Sequence, residues 1–219
     1  MLMPKTDILP KAQQKLWREL TDTPKWFVLY GGTALALRLG HRQSEDFDFF
    51  SNKAFQPSTL LNGIGYLQAA EITQSQENTL TAIVDREGPV KVSFFGYLDF
   101  NRVQDPDLVN ENGIYVASLI DVLASKLKTI QQRAQARDYI DIAAVLSTGI
   151  DLAEALAAAE AIYGQKFNGA LSLKALSYFE DGDLSTLQAD VRQRLRVAAT
   201  SVDLRRLPRV MAKPGISFP

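Results

Sequence analysis

The stretch from Gly31 to Phe50, GGTALALRLGHRQSEDFDFF, constrains this chain more than any other. An apolar, aromatic run from Trp26 to Tyr30 leads into two glycines. An apolar-periodic turn of helix follows, and a polar loop closes on Asp46-Phe47-Asp48. The spacing predicts strand, glycine turn, helix and strand. Residues two apart in an extended strand share a face. Asp46 and Asp48 therefore project together, while Phe47 and Phe49 point to the opposite, apolar side. Two carboxylates about 6–7 Å apart along one strand face suit a hard divalent cation such as Mg²⁺, with Mn²⁺ as the alternative. Gly31-Gly32 opens the helix, with Thr33 in the same turn, and the free N–H groups at such an end hold phosphate oxygens. The plainer reading makes the acids a solvated strand edge and the glycines an ordinary turn. Against it, the acids lie inside an aromatic strand, where an unpaired buried carboxylate is costly.

Composition removes several function classes. The 219 residues suffice for one large domain or two small ones, and the net charge of −1 gives no global pull toward nucleic acid. The absence of cysteine excludes disulfides and thiolate metal sites. The single histidine, His41, excludes multi-histidine zinc sites and argues against a Ser-His-Asp triad. It reads as a loop residue rather than a catalyst. No signal peptide or membrane-spanning run is evident, so a cytoplasmic, reduced setting is expected.

Along the chain, Lys11–Thr21 is predicted helical and stopped by Pro24, and Gly40 ends the helix after the glycines. Glu71–Asp85 and Val90–Tyr97 read as strands that turn at Arg86-Glu87-Gly88-Pro89. Lys91 reads either as a phosphate contact or as a solvated strand residue. Asn101–Asn112 reads as a polar loop. Ser118–Leu146 is helical by period, broken near Ala134–Ala136, with Ser118 as cap and Asp121 as its capping-box partner. Lys126, Arg133, Arg137 and Asp141 fall at spacings of seven, four and four, which is one helix face. Taken alone, that is a salt-bridged, solvated face. Helices are expected from Asp151 onward. Ser185–Pro219 carries seven Lys/Arg against two Asp/Glu, a basic tail suited to RNA, to an acidic partner, or to nothing in particular.

The order G-G-T, R-x-S, D-x-D resembles the nucleotidyltransferase fold of DNA polymerase beta-like enzymes. The fuller wording GGTALAL…HRQSEDFDFF resembles the AbiEii/AbiGii branch, toxin-like nucleotidyltransferases of abortive-infection and type IV toxin–antitoxin systems. The block K-x6-R-x3-R-D-x2-D, from Lys126 to Asp141, resembles the second motif of AbiEii-type proteins. The resemblance implies an α+β chain: a mixed-sheet nucleotidyltransferase domain over 1–115, then an α-helical domain over 116–219 that covers the active cleft. It implies Mg²⁺-dependent transfer of a nucleoside monophosphate from a nucleoside triphosphate to an acceptor, tRNA or protein. It also implies a toxin with a separately encoded antitoxin.

By the same resemblance, Asp46 and Asp48 hold the metal and Gly31, Gly32 and Thr33 cradle phosphate. Ser44 joins the nucleotide site. Arg42 meets the triphosphate or else steadies its own loop by pairing with Glu45 or Asp46. Lys126 contacts phosphate, and Asp138 sits near the catalytic centre, supported by Arg137 and Asp141. One departure stands out. The family's third carboxylate is expected near Val92–Phe94, and this chain has Ser93 there. Either two carboxylates and one principal metal suffice, or another group substitutes, or the protein keeps the pocket as a nucleotide sensor. A non-enzymatic interaction protein, using the acidic strand and basic tail, is the remaining alternative.

Overall fold

The alternation at Asp46-Phe47-Asp48-Phe49 lies at the centre of a seven-stranded mixed sheet. The computed structural model describes residues 1–216. The chain divides into two units. Met1–Phe100, Asp105–Ser118 and the residues from Pro214 form the first; Asn101–Gln104 and Leu119–Lys213 form the second. Together they make an α+β protein.

The first unit runs through α1 (Lys11–Glu19), β1 (Val28–Tyr30), α2 (Gly31–Leu39), β2 (Asp46–Phe50) and α3 (Pro57–Gly63). It continues through β3 (Glu71–Gln76), β4 (Thr79–Asp85), β5 (Pro89–Phe95), β6 (Asp107–Leu108) and β7 (Tyr115–Val116). The sheet order is β3-β4-β5-β2-β1-β7-β6. β2 lies parallel to β5 and β1 parallel to β7; the other pairs are antiparallel. β1 is shorter than the apolar run that predicts it, because the Phe27 amide donates to the Pro24 carbonyl and closes a turn first. The polar loop expected over Asn101–Asn112 contains β6, and its first four residues belong to the second unit.

Period-two alternation decides which face of the sheet is core. Phe47, Phe49 and Phe94 are fully buried on one face. Trp17 stacks on Phe47 at 6.2 Å between centroids, and Phe49 stacks on Phe94 at 5.3 Å. Burying each such ring stabilises the fold by about 1.5–3 kcal/mol. Gln13 is the exception on α1. It is 1% exposed, and neither end of its amide finds a partner among the described residues. Gln13→Met keeps the shape and removes the unsatisfied group, so it is expected to stabilise the protein by about 1–2 kcal/mol. A thermal melt reads this directly, and a lowered melting temperature would show that the amide is satisfied.

The second unit carries α4 (Leu119–Thr129), α5 (Ala136–Leu146), α6 (Leu152–Tyr163), α7 (Gly169–Ala175) and α8 (Ala189–Ser201). The break between α4 and α5 spans residues 130–135, so it begins four residues before the break expected near Ala134–Ala136. Asp183 accepts the Ala136 amide at 2.7 Å and so caps α5 from a distant turn. That turn needs Gly182, at φ +55, since a Cβ there would strike the Ala134 carbonyl. Asp151 and Asn168 cap α6 and α7 through their own side chains. The Asp121 carboxylate, expected as a partner for Ser118, accepts the amides of Val103 (2.7 Å) and Gln104 (3.1 Å). It thereby ties that short loop to α4. In the basic tail, Asp203 pairs with Arg205 at 3.0 Å and approaches Arg206 at 3.8 Å. Pro219, the last of the tail's prolines, lies outside the described residues. Among the described residues no helix is long and apolar enough to cross a membrane.

Candidate active site

Opposite the core, the sheet presents a polar row. Strand register places Tyr30 beside Asp48 on β1 and β2, Asp46 beside Lys91, and Asp48 beside Ser93 on β2 and β5. Thr81 of β4 lies beside Ser93 in turn. Asp46 and Asp48 are both half-buried, as a shared face with solvent access requires. The Lys91 Nζ stands 3.7 Å from Asp46 Oδ2, with 46% and 34% of the two side chains exposed. Ser93 is 1% exposed. The third acid expected from the resemblance is therefore replaced by a serine at the register position beside Asp48.

α2 begins against this row. Gly31 has φ +74, and a Cβ built on it would lie 3.1 Å from Asp48 Oδ2. A side chain at Gly32 would meet the Arg42 guanidinium and come 3.1 Å from Ser44 Oγ. Tyr30 occupies the N-cap without capping the helix through its side chain, and the first turn holds no acid. The helix thus starts with an N-cap residue whose side chain does not cap it and with glycines that admit close approach. That is the arrangement a phosphate fills. Gly31→Ala would both strain a left-handed backbone and crowd the carboxylate. The expected cost is about 1–2 kcal/mol of stability, read by denaturant unfolding. An unchanged midpoint would mean that the turn relaxes freely.

The loop between α2 and β2 is pinned from below. The Thr33 and Ser44 hydroxyls share a hydrogen bond of 2.8 Å, and the Thr33 hydroxyl also bonds the Asp46 carbonyl. With Thr33 1% and Ser44 9% exposed, these hydroxyls fix where Asp46 begins its strand. Arg42 Nη1 donates to the Gln43 carbonyl at 2.8 Å. Gly31, Gly32, Thr33, Arg42, Ser44, Asp46 and Asp48 are thus brought into one neighbourhood of the first unit.

Lys126 and Asp138 meet each other in the second unit. The Lys126 ammonium lies 2.7 Å from both Asp138 Oδ1 and Asp141 Oδ2. Arg133 Nε donates to Asp138 Oδ2 at 2.8 Å. Both carboxylates are fully buried, and the lysine is 6% exposed. Burial alone would raise the Asp138 carboxyl, but the Arg133 hydrogen bond and the Lys126 charge hold it below its ordinary value of 3.8. Arg137, expected beside Asp138 and Asp141, is exposed and bonds Gln135. Sequence spacing counted Arg133 on the right face but did not foresee its tie to Asp138, because that tie bridges the break between two helices.

The polar row fits a magnesium ion in part. Two carboxylates share one face, and Mg²⁺ commonly takes one or two carboxylates together with substrate phosphates. Among the described residues no group of three or more His, Cys, Asp or Glu could hold a metal unaided.

The profile of a family described as nucleotidyl transferase AbiEii toxin, type IV TA system, matches residues 16–211. A protein of Aquifex aeolicus named only as uncharacterized is 33% identical over 161 residues, covering 71% of this chain and 74% of that protein. Among solved structures, MenT4, a nucleotidyltransferase toxin of Mycobacterium tuberculosis, superposes with a TM-score of 0.57 at 17% identity. The match covers 89% of this chain and 83% of that one. A candidate nucleotidyltransferase from H. pylori matches with a TM-score of 0.54 at 20% identity, covering 87% and 91%. At these identities the two structures speak for the fold alone.

Proposed function

We propose, for a chain that belongs to the AbiEii family of nucleotidyl transferase toxins, the transfer of a nucleoside monophosphate from a nucleoside triphosphate to an acceptor hydroxyl on tRNA or protein. We also take it to be the toxin of a type IV toxin–antitoxin system, with a separately encoded antitoxin. The observation that carries the reading is the meeting of two devices. The glycine-led start of α2 lies against Asp48, and Asp46 and Asp48 share one open strand face.

In this reading the Gly31 and Gly32 amides receive phosphate oxygens. Arg42 adds positive charge over the same glycines. Thr33 and Ser44 hold the loop that sets Asp46 in place. Asp46 and Asp48 would hold Mg²⁺ or Mn²⁺. When bound, that ion supplies charge neutralisation for the departing pyrophosphate. The acceptor oxygen forms its bond to the α-phosphorus as the bond to the bridging oxygen breaks; pyrophosphate leaves and the hydroxyl proton passes to water. By the family pattern, Lys126 meets nucleotide phosphate and Asp138 acts near the catalytic centre. Their ion pair also holds α4 and α5 together.

Incubation with each α-labelled nucleoside triphosphate, Mg²⁺ and either total tRNA or cell extract tests the reading. Label on RNA or on protein names the acceptor class. Ser93 supports a second reading, a nucleotide sensor that keeps the pocket without turnover. Nucleotide binding with no transfer from any of the four would establish it.

A further inference from the structure

We propose that Lys91 binds the substrate's triphosphate and that, with Lys91 in place, the site takes one divalent cation rather than two; this rests on the transferase reading above. β2 and β5 run parallel, so each polar residue of β2 has a neighbour of β5 on the same face. Asp46 is given Lys91, and Asp48 is given Ser93. Two-metal transfer needs ions about 3.5–4 Å apart, clamped between shared acids. Here the position that would supply a third acid holds a neutral, buried hydroxyl. The position beside the other acid holds a cation.

Charge decides the rest. Asp46 and Asp48 are balanced by Lys91 and by Arg42, whose guanidinium stands over Gly32. One divalent cation makes the site net positive, which suits a triphosphate carrying several negative charges. A second divalent cation would stand beside the ammonium with no added carboxylate to offset the repulsion. Lys91 is also free to turn. Its Nζ lies 3.7 Å from Asp46 Oδ2, longer than a hydrogen bond, and nearly half of its side chain is in solvent. An exposed pair of this kind is worth about 0–1 kcal/mol, so phosphate outcompetes it. A lysine serves here as a compact charge at the end of a flexible stem.

Two probes test this on the full chain: Mn²⁺ alone, counted by electron paramagnetic resonance, and magnesium tripolyphosphate, titrated by calorimetry. The wild type is expected to take up one Mn²⁺ per chain; two would overturn the proposal. Lys91→Ala is expected to bind tripolyphosphate about 10-fold or more weakly, the size of a lost charge-assisted hydrogen bond. The same variant should bind Mn²⁺ several-fold more tightly, because the cation beside Asp46 is gone. Lys91→Arg should restore tripolyphosphate binding. A purely structural lysine would lower both affinities or neither, and unchanged tripolyphosphate affinity in Lys91→Ala overturns its assigned role. If the wild type binds neither probe, the transferase reading falls with this one. If it binds both and Lys91→Ala matches it, only the lysine's role falls.

Discussion

Asp138→Ala is expected to destabilise the protein by about 3–5 kcal/mol, the cost of leaving buried charge without its partner. Lys126 is 6% exposed and faces two carboxylates at 2.7 Å. Removing one leaves the ammonium with Asp141 alone and strips Arg133 of both bonds to Asp138. Against a total stability of about 5–15 kcal/mol for a typical domain, this approaches global unfolding. Chemical denaturation with a circular-dichroism readout measures it. A loss under about 1 kcal/mol would mean that water or other side chains replace the carboxylate. The double variant Lys126→Ala/Asp138→Ala should cost less than the sum of its singles, because residues in one ion-pair network are coupled.

The pH dependence follows from the same contacts. The Asp138 carboxyl is held below its ordinary value, so the folded state releases its proton more readily than the unfolded chain does. Its stabilising contribution is fully present above about pH 4, the unfolded value. It is lost as the pH falls through the lower, folded value. Acid titration of the wild type should therefore show a stability loss beginning near pH 4 that is shallower in Asp138→Ala. Equal slopes would remove Asp138 from the acid transition.

Asp48→Asn carries the largest expected effect on activity, a fall in transfer of about 10³-fold or more. The replacement keeps the shape and removes the charge. Metal-assisted charge stabilisation is worth several kcal/mol, and each 1.36 kcal/mol is tenfold in rate. Fold stability should stay within about 1 kcal/mol, since Asp48 is half-buried on the open face of β2 and not in the apolar layer. Asp46→Asn should behave similarly; the pair it forms with Lys91 is too exposed to matter for folding. A transfer rate within about threefold of wild type for Asp48→Asn would mean that the chemistry does not use this row.

What the sequence made legible was local. The alternation of Asp46 to Phe49 and the two glycines sufficed to place the acids on one face and α2 against them. Strand pairing at distance was less accessible. Nothing in the wording of β5 says that Ser93 will stand beside Asp48 rather than one residue away, although the family resemblance pointed to that place. The second block shows the limit more sharply. Helical spacing groups Lys126, Arg133, Arg137 and Asp141 on one face, but the helix breaks after Thr129. Beyond the break Arg133 reaches Asp138, while Arg137 turns out to solvent. A periodic rule holds only while the helix does. Asp121 adds a contact that spacing does not reveal, since its carboxylate also anchors a loop that sequence alone assigns elsewhere.

The most direct measurement compares wild type with Asp48→Asn for label transfer from an α-labelled nucleoside triphosphate, in Mg²⁺, to RNA or protein. The structure leads us to expect labelled acceptor and released pyrophosphate with the wild type and neither with the variant. Equal labelling by both proteins would contradict the assignment of the acidic row as the reaction centre. Failure of both to label, with every nucleotide tried, would contradict the transferase itself.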